Sequence, residues 1–261
     1  DHLPTSPGVG ISDVRGVDAT SGLFVYLLYL HRQLTGTRVL VDKYEANARA
    51  ALGFVLDNNR ASDGFFFSSW QKSKATGNWE LWRFQYAADQ GDVYLGLHAG
   101  GLLYPGGDAT YSNAAEFLLR NTPNDFFAAT PKRYALGRDE EGNLESDYDG
   151  FDGIFPQGYL PWVWGEGISN RAALTWLRSK VQRDGSVKVG RHAYSLSAVV
   201  LGMASSELGE PPPASSFQWL VSVPFDVKDG GVRDTAKRTS SKYVNVSGFA
   251  VLSLLGFHPF E

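Results

Sequence analysis

The chain has 261 residues, a net charge of −4, seven Trp and no Cys. Lys and Arg are interleaved with Asp and Glu and form no basic stripe, which argues against phosphate-backbone binding and a nucleic-acid partner. The missing thiols exclude disulfides, thiolate catalysis and thiolate-held zinc or iron–sulfur centres, and the length suits one large core, so a single domain over residues 1–261 is expected.

Asp1 to Gly10 has no basic start, apolar run or cleavage site, so any targeting segment is expected to be already absent; an extracellular or periplasmic location is the expectation taken. The first apolar stretch, Gly22 to Leu30, is apolar on every side and reads as an inner helix surrounded by other helices. Its core, Leu23 to Leu30, stops at His31, well short of the roughly 20 residues a membrane span needs, so a soluble protein with no membrane span is expected.

From Val39 to Leu56, Val41, Tyr44, Ala48, Leu52 and Val55 recur at three- and four-residue steps, opposite Asp42, Lys43, Glu45 and Arg49. That spacing predicts an outer, amphipathic helix. The alternation returns with an apolar, Gly- and Ala-rich helix at Gly91 to Tyr104 and a polar-faced one at Ala109 to Arg120. Glu166 to Lys180 begins like an inner helix and ends like an outer one. Ala193 to Glu207 is inner again, Pro211 to Pro213 makes a rigid turn, Ser215 to Val223 is outer, and Val246 to Leu255 is a last apolar helix.

Acid–Gly pairs close several of these units, at Asp63-Gly64, Glu141-Gly142, Asp184-Gly185 and Asp229-Gly230, where Gly can take a positive φ. The last three are 43 and 45 residues apart, the length a helix–loop–helix–loop unit needs. The expected fold is therefore all-α: repeated helical hairpins forming an (α/α)n toroid. An open solenoid would leave one face of each inner helix wet, which their all-round apolarity disfavours.

Two loops carry the candidate chemistry. The first runs from Asp63 through Trp70, Trp79, Trp82 and Tyr86 to Asp89 and Asp92, immediately before an inner helix. Aromatic faces stack on sugar rings and carboxylates accept hydrogen bonds from sugar hydroxyls, so a saccharide subsite needs both residue types together. The same residues also suit a plain structural role, the aromatics capping the core and the acids favoured by a helix N-terminus. The second loop, Gly158 to Gly167, places Glu166 between two glycines after Trp162 and Trp164. A carboxyl in such an apolar, aromatic setting is expected to be poorly solvated and suited to general-acid work.

Trp164-Gly-Glu-Gly167 heading one helix, Asp89-Gln-Gly-Asp-Val-Tyr94 heading another, and the closing Ser247-Gly-Phe-Ala with Gly256-Phe-His-Pro-Phe260 together resemble bacterial α/α-toroid carbohydrate-active proteins of the glycoside hydrolase or polysaccharide lyase type. The resemblance covers most of the chain as a repeat pattern, with fewer complete hairpins than the usual six. It implies a carbohydrate substrate and acids at the ends of inner helices facing a cleft, a role carried here to Glu166 as general acid and Asp92 as its partner, with Asp89 as the rival. Such a carboxylate pair would protonate the glycosidic oxygen and either activate water or attack the anomeric carbon. Trp70, Trp79, Trp82, Tyr86, Trp162, Trp164, His192 and Tyr194 are the expected substrate contacts.

A lyase acting on a uronic-acid polymer is the second reading. It would draw on Arg191, His192 and Tyr194, with His98 as a further base and Lys72, Lys74 and Arg83 for an acidic sugar. A non-catalytic helical module binding glycan or protein through the same aromatics is the third. An isoprenoid cyclase would need an Asp-rich helical motif that the sequence lacks. Glu145, Asp147, Asp149 and Asp152 offer oxygen ligands of the kind calcium takes but do not make the twelve-residue EF-hand loop. A solvated acidic loop is the reading taken, and no cofactor is expected. Asn245-Val-Ser247 is a formal glycosylation sequon, and oligomeric state has no signature.

Overall fold

A computed structural model describes residues 13–14, 16–73, 75–105, 109–147, 151–190, 192–222, 225–226, 231–233, 235 and 244–260. The chain forms two compact units, one of residues 1–120 with 138–143 and one of residues 121–137 with 144–261.

In the first unit, α1 (Val17–Thr35) packs along α4 (Ala87–Leu103), and α3 (Glu45–Phe54) lies against both. α1 begins where Gly16 adopts φ 59° and ends where Gly36 adopts φ 69°, the Gly36 N–H bonding the Arg32 carbonyl. These left-handed glycines set where the helix starts and stops, outside the apolar run on both sides. α4 is buried on nearly every face, as its composition predicts. The outer helix expected over Val39 to Leu56 is instead three pieces: α2 (Val39–Lys43), α3 and a π-helical turn at Val55–Asn59. The break falls at Tyr44, whose ring packs edge-on against Phe24. Ahead of α1, strand β1 (Asp13–Val14) pairs antiparallel with β2 (Ser69–Lys72); β2 and its antiparallel partner β3 (Trp79–Trp82) lie between α3 and α4, and β4 (Phe84–Tyr86) leads into α4. α5 (Thr110–Asp125) continues the chain into the second unit.

In the second unit, α6 (Phe151–Trp164) and α10 (Val244–Leu255) both pack on α8 (Ser195–Glu207), with α7 (Ile168–Arg178) and α9 (Ala214–Ser222) as amphipathic outer helices. α6 corrects the sequence reading, which treated Gly158 to Gly167 as a loop. Pro156 and Pro161 lie inside a helix whose described side chains are almost all buried. Burial against α8 outweighs the helix-breaking tendency of the two prolines. A methyl on Gly158 would come within 2.4 Å of the Val200 carbonyl oxygen, so only Gly allows that approach.

The expected acid–Gly turns fall at one recurring local geometry. In 61–65, 139–143 and 182–186, the first N–H bonds the fifth carbonyl and the fourth N–H bonds the first carbonyl. The fourth residue is Gly64, Gly142 or Gly185, with φ between 85° and 95°. Asp229-Gly230 lies outside the described residues. Among the described residues, no helix is long and apolar enough to cross a membrane.

Candidate active site

The first unit builds its polar centre on four consecutive residues, Phe66 to Ser69, whose backbone groups are bound from every side. The Gln90 side-chain amide on α4 pairs with both the N–H and the carbonyl of Phe66, at 3.0 and 2.9 Å. Phe67 donates its N–H to the Asn59 carbonyl and accepts from the Asn59 side chain at 2.6 Å. Ser68 donates to the Phe84 carbonyl and accepts from the Val17 N–H, and Ser69 Oγ accepts from the Gly16 N–H. The segment thus ties the start of α1 to the start of α4, so side chains leaving both helix N-termini meet over Ser68.

Three carboxyl groups gather there. Asp18, in the first turn of α1, is 0 % exposed, and its Oδ1 lies 3.3 Å from Ser68 Oγ. Among the described residues, its Oδ2 has no hydrogen-bond partner. Ser68 Oγ also bonds Asp89 Oδ2 on the first turn of α4. Asp92, one turn on, is 8 % exposed, and Asp89 is half-buried, the most accessible of the three. Burial and then the neighbouring Asp89 hold the Asp18 carboxyl well above the usual carboxylate range. Asp92 adds to this, against the opposing hydrogen bonds from the Ala19 N–H and Ser68.

The sequence reading named Asp89 and Asp92 but missed Asp18 and Ser68. The available signal was an acid at position 18, one helical turn before Gly22 and its apolar run. An acid at a helix start also has an ordinary dipole explanation, so sequence alone could not reveal its burial.

Aromatic residues precede this cluster. Trp82 is 40 % exposed and meets Tyr86 edge-on at 6.4 Å, and Tyr86 packs on Phe84 at 4.8 Å and caps α4. Trp79 is half-buried, opposite Lys72 in the hairpin. Trp70 is turned inward: its ring lies 6.1 Å from Phe54 and its indole N–H reaches Asn59 Oδ1 at 3.3 Å. Of these, Trp82 is the exposed ring and Tyr86 the one that directly precedes α4.

The second-unit candidates have other surroundings. The Glu166 side chain is 62 % exposed and bonds Arg171 through both carboxylate oxygens, and Arg171 also reaches Glu210. The solvent-excluded setting expected for Glu166 is therefore corrected to an exposed ion pair, because the adjoining Trp side chains point into the core. Trp162 is 2 % exposed, donates to the Phe257 carbonyl at 2.7 Å and packs on Tyr159; Trp164 is buried as well. Both residues belong to the core of this unit. Tyr194 caps α8 as Tyr86 caps α4, both in extended backbone. The side chains of His192 and Asp152, and residues Lys74, Asp149 and Arg191, lie outside the described residues. Asp147 is exposed, Arg83 pairs with Glu140, and His98 stacks on Tyr94 with its pKa lowered by burial.

A cavity of about 380 Å³ lies between α1 and α3, lined by residues that include Val17, Ser21, Asn47 and Phe54. Among the described residues, its lining contains no ionisable side chain.

Alternating buried and amphipathic helices with Gly turns define an α/α-toroid fold, the class expected from the sequence. Solved structures agree. The chain is similar to a novel alpha-amylase from Clostridium perfringens, with a TM-score of 0.68 at 12 % identity over 97 % of this chain and 74 % of that one. It is also similar to a possible GH105 family member from Klebsiella pneumoniae, with a TM-score of 0.65 at 11 % identity over 89 % and 68 %. A D-mannose isomerase gives a TM-score of 0.61 at 13 % identity over 94 % and 71 %. At these identities the likeness is one of fold. No family model and no curated protein matches the sequence.

Proposed function

We propose that this protein is a carbohydrate-active enzyme, a glycoside hydrolase whose acid–base centre is the carboxyl cluster at the head of α4. The observation that carries the reading is the half-buried Asp89 carboxyl in the first turn of α4, backed by two further buried carboxyls, with the Trp82–Tyr86 aromatic pair leading into that helix. An exposed indole face and an adjacent carboxyl are what a pyranose ring needs for stacking and for proton transfer at its glycosidic oxygen. In this reading Asp89 exchanges the proton and Asp92 is the second carboxylate, stabilising positive charge as it develops on the sugar. The fold shared with sugar-processing proteins supports the substrate class.

The test is a panel of oligosaccharides and polysaccharides assayed with wild type, Asp89→Asn and Asp92→Asn. Asp89→Asn is expected to reduce turnover by at least about a hundredfold, within the range for a lost general acid–base group. It should still quench Trp fluorescence on glycan addition, because Trp82 is untouched. Product mass identifies the reaction: water incorporated for a hydrolase, an unsaturated end for a lyase, unchanged mass for an isomerase or epimerase. Unimpaired turnover in both variants, or binding with no conversion of any glycan, overturns the reading.

A further inference from the structure

We infer that Asp18, Ser68 and Asp89 form a proton-holding chain in which Asp18 donates to Ser68 Oγ and Ser68 donates to Asp89, so that one proton is stored behind the accessible carboxyl. The argument is first one of counting. Ser68 Oγ lies within hydrogen-bond distance of Asp18 Oδ1 and Asp89 Oδ2, and a hydroxyl has a single hydrogen. With both carboxylates ionised, one of the two contacts would place lone pair against lone pair. A proton on one carboxyl resolves it, the hydroxyl accepting from that side and donating to the other.

Burial decides which carboxyl keeps the proton. Asp18 is fully enclosed and its Oδ2 has no partner among the described residues, whereas Asp89 is half-buried at a helix N-terminus, which favours negative charge. The direction of the Asp18 pKa agrees. From α4 the groups facing Asp18 are Asp89 and Asp92, and from the 66–69 segment the facing group is Ser68. On α3 and the π turn, Glu45 and Arg49 pair with each other and Asp57 is exposed.

The chain can also move its proton without an external reactant. The Ser68 hydrogen passes to Asp89 as the Asp18 hydrogen passes to Ser68, and Asp89 then gives the proton it has received to the leaving group. This leaves Asp18 ionised until a proton returns. Asp18 touches no substrate in this scheme and is a positioning residue acting through Asp89. That service to catalysis rests on the hydrolase reading above, whereas the stored proton does not.

Two measurements test the inference. The first is unfolding stability against pH for wild type, Asp18→Asn and Ser68→Ala. A carboxyl whose folded pKa is raised binds its proton in the native state above the ordinary value of about 4, so wild-type stability should fall as pH rises from there through the raised pKa. Asp18→Asn keeps a donor to Ser68 but does not titrate, and it should lose that slope. Ser68→Ala removes the link while leaving Asp18 buried, and it should keep a slope. The infrared carbonyl band of a protonated carboxyl should be present in wild type at neutral pH and absent in Asp18→Asn. Parallel stability curves and identical infrared spectra for wild type and Asp18→Asn overturn the stored proton.

The second measurement uses a turned-over glycan. Asp18→Asn should move the alkaline limb of kcat/KM to lower pH by about one unit or more, since Asp89 then titrates without its reservoir. A purely structural defect would lower the rate evenly at every pH, and that result overturns the catalytic half. Failure to turn over any glycan removes the hydrolase reading and leaves the first measurement to stand on its own.

Discussion

Gly22 and Gly96 lie face to face where α1 crosses α4: a methyl group on Gly96 would sit 2.3 Å from the Gly22 Cα. A methyl on Gly22 would in turn meet the Asp92 carbonyl oxygen at 2.3 Å. This backbone contact brings α1 close enough to α4 for Asp18, one helical turn before Gly22, to share Ser68 with Asp89. Gly96→Ala should therefore destabilise by about 1–3 kcal/mol through overpacking, against the small gain Ala would normally bring to a helix. Denaturant unfolding measures the first effect. The infrared band of the Asp18 carboxyl should shift as the helices part.

The inner helices were legible in the sequence where burial is complete. α4 and α8 are apolar all round because neighbours cover all their faces, and both were recognised. α6 was hidden by Pro156 and Pro161, since the packing of Gly158 on Val200 that holds it is a long-range contact with no local signature. For the same reason Trp162 and Trp164 looked like loop aromatics. The glycines of the turns at 64, 142 and 185 were readable because a positive φ is a local requirement. Asp89 and Asp92 could be named as acids at a helix head. What could not be read was that Asp18, seventy-one positions earlier than Asp89, lies beside them, because a pairing set by Ser68 and by the α1–α4 crossing has no periodicity.

The same glutamine device appears in each unit. Gln90 brackets Phe66 and also reaches the Tyr86 carbonyl, and Gln157 brackets Tyr134 and reaches the Gly153 carbonyl. Both glutamines are fully buried. Truncating either to Ala leaves a backbone N–H and carbonyl unsatisfied and should cost about 1–3 kcal/mol. Gln→Glu should cost more at neutral pH, since a carboxylate accepts from the N–H but cannot donate to the two carbonyls. Recovery of the Glu variants at lower pH, where the carboxyl regains a donor, would separate this effect from simple loss of packing.

Arg138 holds residues 138–143 to the rest of the first unit. Its guanidinium bonds Gln85 at 2.6 Å and Asp63 at 2.5 Å and lies 4.3 Å from the centre of the Phe65 ring. A planar fork satisfies all three directions, which a lysine ammonium cannot. Arg138→Gln should destabilise by about 1.5–3 kcal/mol, the range for a buried hydrogen bond to a charged group, and Arg138→Lys should recover less than half of that. Hydrogen exchange should quicken first at Phe65 and Gln85. Equal stability of the Lys variant and wild type would refute the geometric argument.

His98 gives the protein an acid-side sensitivity opposite in sign to that of Asp18. It stacks on Tyr94 with ring centroids 5.6 Å apart, and burial lowers its pKa below the free histidine value. As pH falls through about 6.5 the unfolded chain takes up a proton that the folded chain refuses, so stability linked to this residue is present above that pH and is lost below it. His98→Gln, which has no titration in this range, should show a thermal midpoint that gains on wild type as pH drops from 7 towards 5 and tracks it at constant offset above about 7. A wild-type-minus-variant difference that stays flat across the whole range would show that the imidazole is as easily protonated in the fold as in water.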